Sequence, residues 1–402
     1  MSPAPRVVSL GCRLNIAESE SIRALLGSRE HGGDAVVVNS CAVTGAAVKE
    51  TRATIRRLRR EAPGAELIVT GCAATIDPAG FLDMSEVDRV VANDAKLAPA
   101  SWGSALPAPP PPRYIGHARA LVAVQNGCDH ACTFCAIPAG RGASRSVPAG
   151  AVVSQVAGLV EAGHREVVLT GVDLTSYGHD LPGTPTLGSL VERVLRFVPD
   201  LPRLRLSSLD SIEIDPLLLE LLVAEPRICP HVHLSLQAGS DLILKRMKRR
   251  HSRSDAVALA ERLSAGRPGI AIGADLIAGF PTEDNAMAAD TLALIADARI
   301  VHAHIFPYSP RAGTPAARMP QVPPTLVRER AARLRAVAAE AKAGWLASLV
   351  GGVEQVLVER PGLRGHLGNF AEVRLSAPAE PGTLRHVRID GATDTHLTGT
   401  PL

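Results

Sequence analysis

Gln125-Asn-Gly-Cys-Asp-His-Ala-Cys-Thr-Phe-Cys-Ala-Ile-Pro138 places Cys128, Cys132 and Cys135 within eight residues, directly after the strand-like run Ala120–Gln125. Three thiolates on one short loop can hold three irons of a cubane 4Fe-4S cluster, because each iron needs one ligand beyond its sulfides. The fourth iron is then open to chelate a small molecule through amino and carboxylate groups. Soft thiolates also suit zinc. Zinc sites, however, usually close with four ligands in paired C-x2-C units, and no fourth Cys lies nearby.

Outward from the loop the sequence alternates. Strand candidates at Ala120–Gln125, Glu166–Thr170, Arg203–Ser208, His231–Leu236, Ile270–Ile277 and Val301–Phe306 are separated by helix-like stretches such as Ala151–Ala162, Leu187–Phe197, Arg253–Ser264 and Ala286–Ala298. This alternation suits an open, partial (βα)6 barrel. The cysteine loop follows its first strand, at the carboxyl edge where barrels keep their chemistry.

Toward the N-terminus an apolar run ends three times in one or two small or polar residues and a Cys: Val7-Val-Ser-Leu-Gly-Cys12, Ala35-Val-Val-Val-Asn-Ser-Cys41 and Leu67-Ile-Val-Thr-Gly-Cys72. Helix-like stretches Ile16–Leu26 and Ala46–Arg60 lie between them, which predicts an open parallel α/β sheet. Its strands end on one edge, so Cys12, Cys41 and Cys72 are expected to converge as a second three-thiolate site with one free iron. The alternative is three unrelated buried cysteines. Cys229, the remaining one, reads as a small buried hydrophobe.

A proline run at 107–112 reads as an extended linker. Beyond the barrel, a helix from Thr325 to about Leu349 ends at Gly351-Gly352, and short alternating strands follow, such as Val353–Glu359, Phe370–Leu375 and Leu384–Ile389. They predict a small antiparallel β-barrel of oligonucleotide-binding type. The expected domains are 1–105, 114–345 and 346–402.

Net charge is only +3, so any nucleic-acid contact must come from local clusters. Three exist: Lys49/Arg52/Arg56/Arg57/Arg59/Arg60, Lys245/Arg246/Lys248/Arg249/Arg250/Arg253, and Arg328, Arg330, Arg333 and Arg335 of the late helix. Singly, each reads as a solvated helix face. Together with Arg360, Arg364, Arg374, Arg385 and Arg388 they fit phosphate contacts to a folded RNA. Aromatics make up 3% of the chain, so base stacking has few candidates; Phe370 either stacks on a base or fills the small barrel. No apolar run approaches eighteen residues, and the N-terminus leads straight into a strand-like segment, so no membrane association and a cytoplasmic location are expected.

In combination, Leu10-Gly-Cys-Arg-Leu-Asn15, Asn39-Ser-Cys-Ala-Val-Thr44, Val69-Thr-Gly-Cys72, the Gly127–Cys135 loop with Arg141-Gly142, Val168-Leu-Thr-Gly171, His233-Leu-Ser-Leu-Gln237 and Asp275-Leu-Ile-Ala-Gly-Phe-Pro281 carry a name. The chain resembles the methylthiotransferases of the radical S-adenosylmethionine superfamily over almost its whole length, with an N-terminal cluster domain, a radical domain and a C-terminal TRAM domain. Arg205–Ile214, Leu244–Arg250 and His304–Ala317 look like the branch that acts on threonylcarbamoyladenosine at tRNA position 37. The isopentenyladenosine and ribosomal-protein branches are the alternatives. From a different class, a non-enzymatic iron–sulfur protein that binds RNA and senses redox state would leave the barrel unexplained.

The resemblance implies S-adenosyl-L-methionine and two 4Fe-4S clusters as cofactors, tRNA as substrate, and an external electron donor and a sulfur source as partners. One cluster, on Cys128, Cys132 and Cys135, generates a 5′-deoxyadenosyl radical; the other, on Cys12, Cys41 and Cys72, delivers the methylthio group to adenine C2. By motif, Thr170, Gly171, Asp173, Ser207, Ser208, Gln237 and Gly279 are expected to contact S-adenosylmethionine. Ser207 and Ser208 can equally end a strand, and Gly279 can equally serve a turn. Two departures stand out: Thr282 occupies the family's usual glycine after Phe-Pro, and Ala139 a usual aromatic.

Overall fold

The structure, a computed structural model, describes residues 5–29, 34–108, 114 and 116–402. Most of the proline run therefore lies outside the described residues. The chain divides into two compact units, and neither is continuous in sequence. One comprises residues 1–114, 125–145 and 309–314; the other comprises 115–124, 146–308 and 315–402.

The first unit is built on a parallel sheet with strands Arg6–Ser9, Ala35–Ser40, Glu66–Gly71 and Arg89–Val90 side by side in that order. Ala35–Ser40 is buried at every position, as a central β-branched strand covered on both faces must be. Alternation then divides its residues. Val36 and Val38 pack with Leu67, Val69, Ile55, Leu58 and Phe81, whereas Val37 packs with Val7, Ile68, Ile22, Leu25 and Trp102. The helix Gly45–Glu61 thus covers one face and Arg13–Gly27 the other. Register aligns Ser9 with Asn39 and Asn39 with Thr70, so the first three strands finish level.

The second unit holds six parallel strands in two sheets of three, Arg119–Ala123, Glu166–Thr170 and Arg203–Leu206, then His231–Gln237, Ala271–Ala278 and Ile300–Pro307. Isolated bridges Leu204↔Ile228 and Leu209↔Leu234 join the sheets into one curved wall. Among the described residues the first and last strands do not pair, so the barrel is open. The helix Pro324–Ser348 leads into a closed five-stranded barrel ordered Val353–Glu359, Arg364–Leu367, Glu372–Leu375, Leu397–Pro401, Leu384–Ala392. Val356, Val358, Leu367, Val373, Val387, Ile389 and Leu397 fill it, and Leu346 of the helix closes the core.

The small barrel is fastened to the amino-terminal end of the open one by charge. Glu166, fully buried, accepts from Arg119 at 2.8 Å and Arg205 at 2.7 Å; Glu359 accepts from Arg119 at 2.5 Å and His366 at 2.8 Å. Burial raises both carboxyls, but the surrounding cations more than offset it and hold each at about 2. Phe370 sits in this seam: Arg205 lies 4.7 Å over its ring, with His231 and His366 rings 5.3 and 4.9 Å away. It is a packing residue between the barrels, which removes it as a base-stacking candidate.

Candidate metal centre

Because the strands finish level, Cys12, Cys41 and Cys72, each just past a strand end, meet at one sheet edge. Gly11 shows how tightly: its φ is +95°, and a Cβ there would lie 2.6 Å from Cys41 Sγ. Burial raises the Cys41 thiol; the Val43 N–H at 3.5 Å from its sulfur and Arg311 oppose that, and the neighbouring Cys12 and Cys72 push it further up. Mutual repulsion of this kind is what a bound metal relieves, since it takes up the thiolate charge. Cys12 also occupies the N-cap position of the fifteen-residue helix Arg13–Gly27, whose N-terminus favours negative charge. The donor set therefore fits an iron–sulfur cluster.

Arg311 is a residue that the sequence reading missed. The segment 309–314 folds onto the first unit, where Arg311 Nη2 donates to Ala42 O and Ser309 Oγ accepts from Gly45 N at 3.3 Å. Its one signal in the sequence is its place in the His304–Ala317 stretch.

The loop bearing Cys128, Cys132 and Cys135 belongs to the same unit. Its neck is laced shut: Cys128 N donates to Gly142 O at 3.1 Å, Ser144 N to Asp129 Oδ1 at 3.0 Å, and Gln125 Nε2 to Gly127 O at 2.9 Å. Gly127 is obligatory there, with φ +77° and a notional Cβ 1.9 Å from Ala143 O. Inside the neck, Cys135 N donates to Cys132 O at 3.2 Å and Ile137 N to Cys135 Sγ at 3.4 Å. N–H groups aimed at sulfur stabilise a cluster's added electron. All three cysteines are partly exposed, and none forms a disulfide.

In the second unit the residues expected at S-adenosylmethionine gather around the carboxyl ends of the strands. Thr170 ends its strand, buried, with Gly171 next; Asp173 accepts from Ser176 Oγ at 2.7 Å. Ser207 Oγ is buried without a hydrogen-bond partner, whereas Ser208 is exposed. An orphaned hydroxyl at a strand end fits a missing polar ligand. Gln237 has φ +69° at a strand irregularity, and Gly279 N donates to Glu283 Oε1 at 3.1 Å while packing on Val327. Beside them is a network not anticipated from sequence. Asp210 accepts from Arg249 at 2.9 Å, and Glu213 from Arg250 at 2.5 Å and Thr175 at 3.2 Å.

Residues 122–295 match the family described as Radical SAM superfamily, and residues 5–92 match uncharacterized protein family UPF0004. A threonylcarbamoyladenosine tRNA methylthiotransferase of Rickettsia prowazekii is 44% identical, covering 97% of this chain and 96% of the relative. The chain belongs to the radical S-adenosylmethionine methylthiotransferases. A tRNA-2-methylthio-N(6)-dimethylallyladenosine synthase of a Parafrankia species is 34% identical over 96% of this chain and 83% of its own. A radical S-adenosylmethionine methyltransferase of Kitasatospora setae has a similar fold, with a TM-score of 0.52, 16% identity, and coverage of 74% of this chain and 66% of that one. Members of the family use S-adenosylmethionine and 4Fe-4S clusters.

In this methylthiotransferase much of the basic charge is structural. Arg52 is bound to Asp77, Arg57 to Glu61, Arg59 to Asp88, Arg253 to Asp297 and Arg330 to Glu283. Lys49, Arg60, Lys245, Lys248, Arg328, Arg333 and Arg360 are exposed and carry no ion pair among the described residues. Cys229 is fully enclosed, and burial pushes its thiol up to about 11, as a small core residue requires. No helix of the described residues is long and apolar enough to cross a membrane.

Proposed function

We propose that this methylthiotransferase adds a methylthio group to C2 of N6-threonylcarbamoyladenosine 37 in tRNA. One observation carries the reading: the Cys12/Cys41/Cys72 edge and the Cys128/Cys132/Cys135 loop fall in one compact unit. The Rickettsia relative, threonylcarbamoyladenosine-specific by name, supports the substrate. When bound, S-adenosylmethionine and the clusters supply a 5′-deoxyadenosyl radical and the sulfur group. The chain's own work is to hold and orient. Each thiol triplet would ligate three irons of one cluster, leaving an open iron in each. Thr170, Asp173, Ser207 and Gln237 would orient the amino acid and nucleoside parts of S-adenosylmethionine, with the Ser207 hydroxyl gaining its missing partner. The unpaired lysines and arginines would hold the tRNA backbone and leave base readout to the centre.

The reaction also calls for an external electron donor and a sulfur source, and for the cytoplasm, where tRNA is modified. Mass spectrometry of tRNA nucleosides from cells with and without the gene tests the reading. Loss of the 2-methylthio group from threonylcarbamoyladenosine is expected. Its loss from isopentenyladenosine instead would move the enzyme to the other tRNA branch, and unchanged nucleosides would reject both.

A further inference from the structure

Arg141 lies just beyond the cysteine loop, and its guanidinium bridges Asn126 at the loop's neck to Asn15 and Glu18 of the helix Arg13–Gly27. Nη1 donates to Glu18 Oε1 at 2.9 Å and Asn126 Oδ1 at 2.8 Å; Nη2 donates to Asn15 Oδ1 at 2.6 Å and Glu18 Oε2 at 3.1 Å. Lys96 Nζ donates to the same Glu18 Oε2 at 2.5 Å. The side chains of Arg141, Glu18 and Lys96 are 3%, 2% and 1% exposed. Burial raises the Glu18 carboxyl, but Lys96 and Arg141 outweigh it and keep Glu18 below the usual range. Two cations and one carboxylate leave a surplus positive charge, and Arg141 interacts electrostatically with Cys72 and Cys12.

As a source of stability this arrangement is poor, because desolvating such charges cancels most of their attraction and an apolar set of equal volume serves as well. A forked guanidinium held at both nitrogens does, however, fix distance and angle together. What it fixes is specific. Asn15, which accepts from Arg141, donates through Nδ2 to Leu10 O at 2.6 Å and Ser40 O at 3.0 Å, the backbone leading into Cys12 and Cys41. Asn93 Nδ2 donates to Gly140 O at 2.5 Å and lies 3.5 Å from Cys72 Sγ. Residues 140–141 are thus tied, through one amide side chain each, to all three thiol-bearing segments of the sheet edge.

We propose that Arg141, gripped by Glu18 and Asn15, is a positioning residue that sets the Cys128/Cys132/Cys135 loop at a fixed distance and angle from the Cys12/Cys41/Cys72 edge. Hydrogen removal and methylthio delivery must act on the same adenine carbon, so an error in this setting separates the two events. The inference rests on the assignment of both triplets as cluster ligands. That assignment fails separately: wild-type protein, reconstituted anaerobically, would then not hold about eight irons per chain.

The test compares Arg141→Gln, Arg141→Lys, Glu18→Gln and Lys96→Met with wild type, reading iron content, 5′-deoxyadenosine and methylthiolated nucleoside together. At full iron content, Arg141→Gln and Glu18→Gln are expected to go on releasing 5′-deoxyadenosine while product falls on the order of 100-fold, the scale of a displacement of about 1 Å. Arg141→Lys keeps the charge but cannot span Glu18, Asn15 and Asn126, so its ratio of 5′-deoxyadenosine to product rises too. This variant decides the matter if Arg141→Gln does not retain iron. Lys96→Met leaves every Arg141 hydrogen bond in place and keeps the wild-type ratio. The proposal is overturned if 5′-deoxyadenosine and product fall in parallel in Arg141→Lys, if its ratio is unchanged, or if Lys96→Met uncouples as strongly, since charge alone would then be responsible.

Discussion

Thr282 shows what a single residue costs. It stands at φ +68°, a region that a β-branched side chain avoids. Such strain is of order 1–3 kcal/mol, about 0.5–1 of which a glycine gives back through its freer unfolded chain. Thr282→Gly is therefore expected to raise stability by roughly 1 kcal/mol, read as a higher urea midpoint at unchanged iron content. A lower midpoint would show that the Thr282 Oγ1 bond to Pro281 O matters more. Gly127 is the converse case. Gly127→Ala sets a methyl into Ala143 O and opens the loop neck, and iron is expected to drop from about eight to about four per chain. The cysteines were legible because their spacing and their position after apolar runs are local facts. The pairing of Glu18, Lys96 and Arg141 was not, although Arg141 stands in a motif stretch: each looks like a surface charge until a partner from a distant segment buries it.

At the scale of elements, the seam between the open barrel and the small one should answer to acid. Burial holds the His302 imidazole down at about 3, while its Nε2 donates to Asn369 O at 3.2 Å. Unfolded, that histidine takes a proton near 6.5, and Glu166 and Glu359 take theirs near 4.5, well above their folded values of about 2. In each window the unfolded chain binds more protons, so stability falls as pH falls. The expected loss begins below about 6.5, at no more than about 1.4 kcal/mol per pH unit for each group, and steepens below about 4.5. His302→Phe should flatten the limb between pH 6.5 and 4.5 in thermal melts; an unaltered limb would count against His302 as its source. The six barrel strands were readable from alternation, with ends shifted by a residue or two. Arg364–Leu367 is too short, and Leu397–Pro401 too rich in Gly, Thr and Pro, to carry a clear period-two signal. Pro216–Ala224, apolar nearly all round, hides its helical period in the same way.

For the whole molecule, ion pairs occupy many of the clustered arginines, among them Arg52, Arg57, Arg59, Arg253 and Arg330, so RNA contact falls to the unpaired cations. Lys245 and Lys248 are exposed on a short turn of chain whose arginines are engaged, Arg246 by Thr282 O and Arg249 by Asp210. Lys245→Ala with Lys248→Ala is expected to weaken tRNA binding and to lower the slope of log affinity against log salt by roughly 1–2, with the melting temperature unchanged. An unaltered slope would place the tRNA elsewhere. Arg249→Ala should instead cost stability, because it leaves Asp210 buried beside fewer cations.

The first unit is assembled from three separated pieces of chain, 1–114, 125–145 and 309–314. That bears on inheritance. A recombination event at the proline run would bring in new versions of Glu18 and Asn15 while keeping the old Arg141, and a mismatch between residues 18 and 141 strands a buried charge at a cost of about 3–5 kcal/mol. The N-terminal region therefore cannot be shuffled as a cassette. A hybrid gene keeps the match when residues 15, 18 and 141 come from one parent.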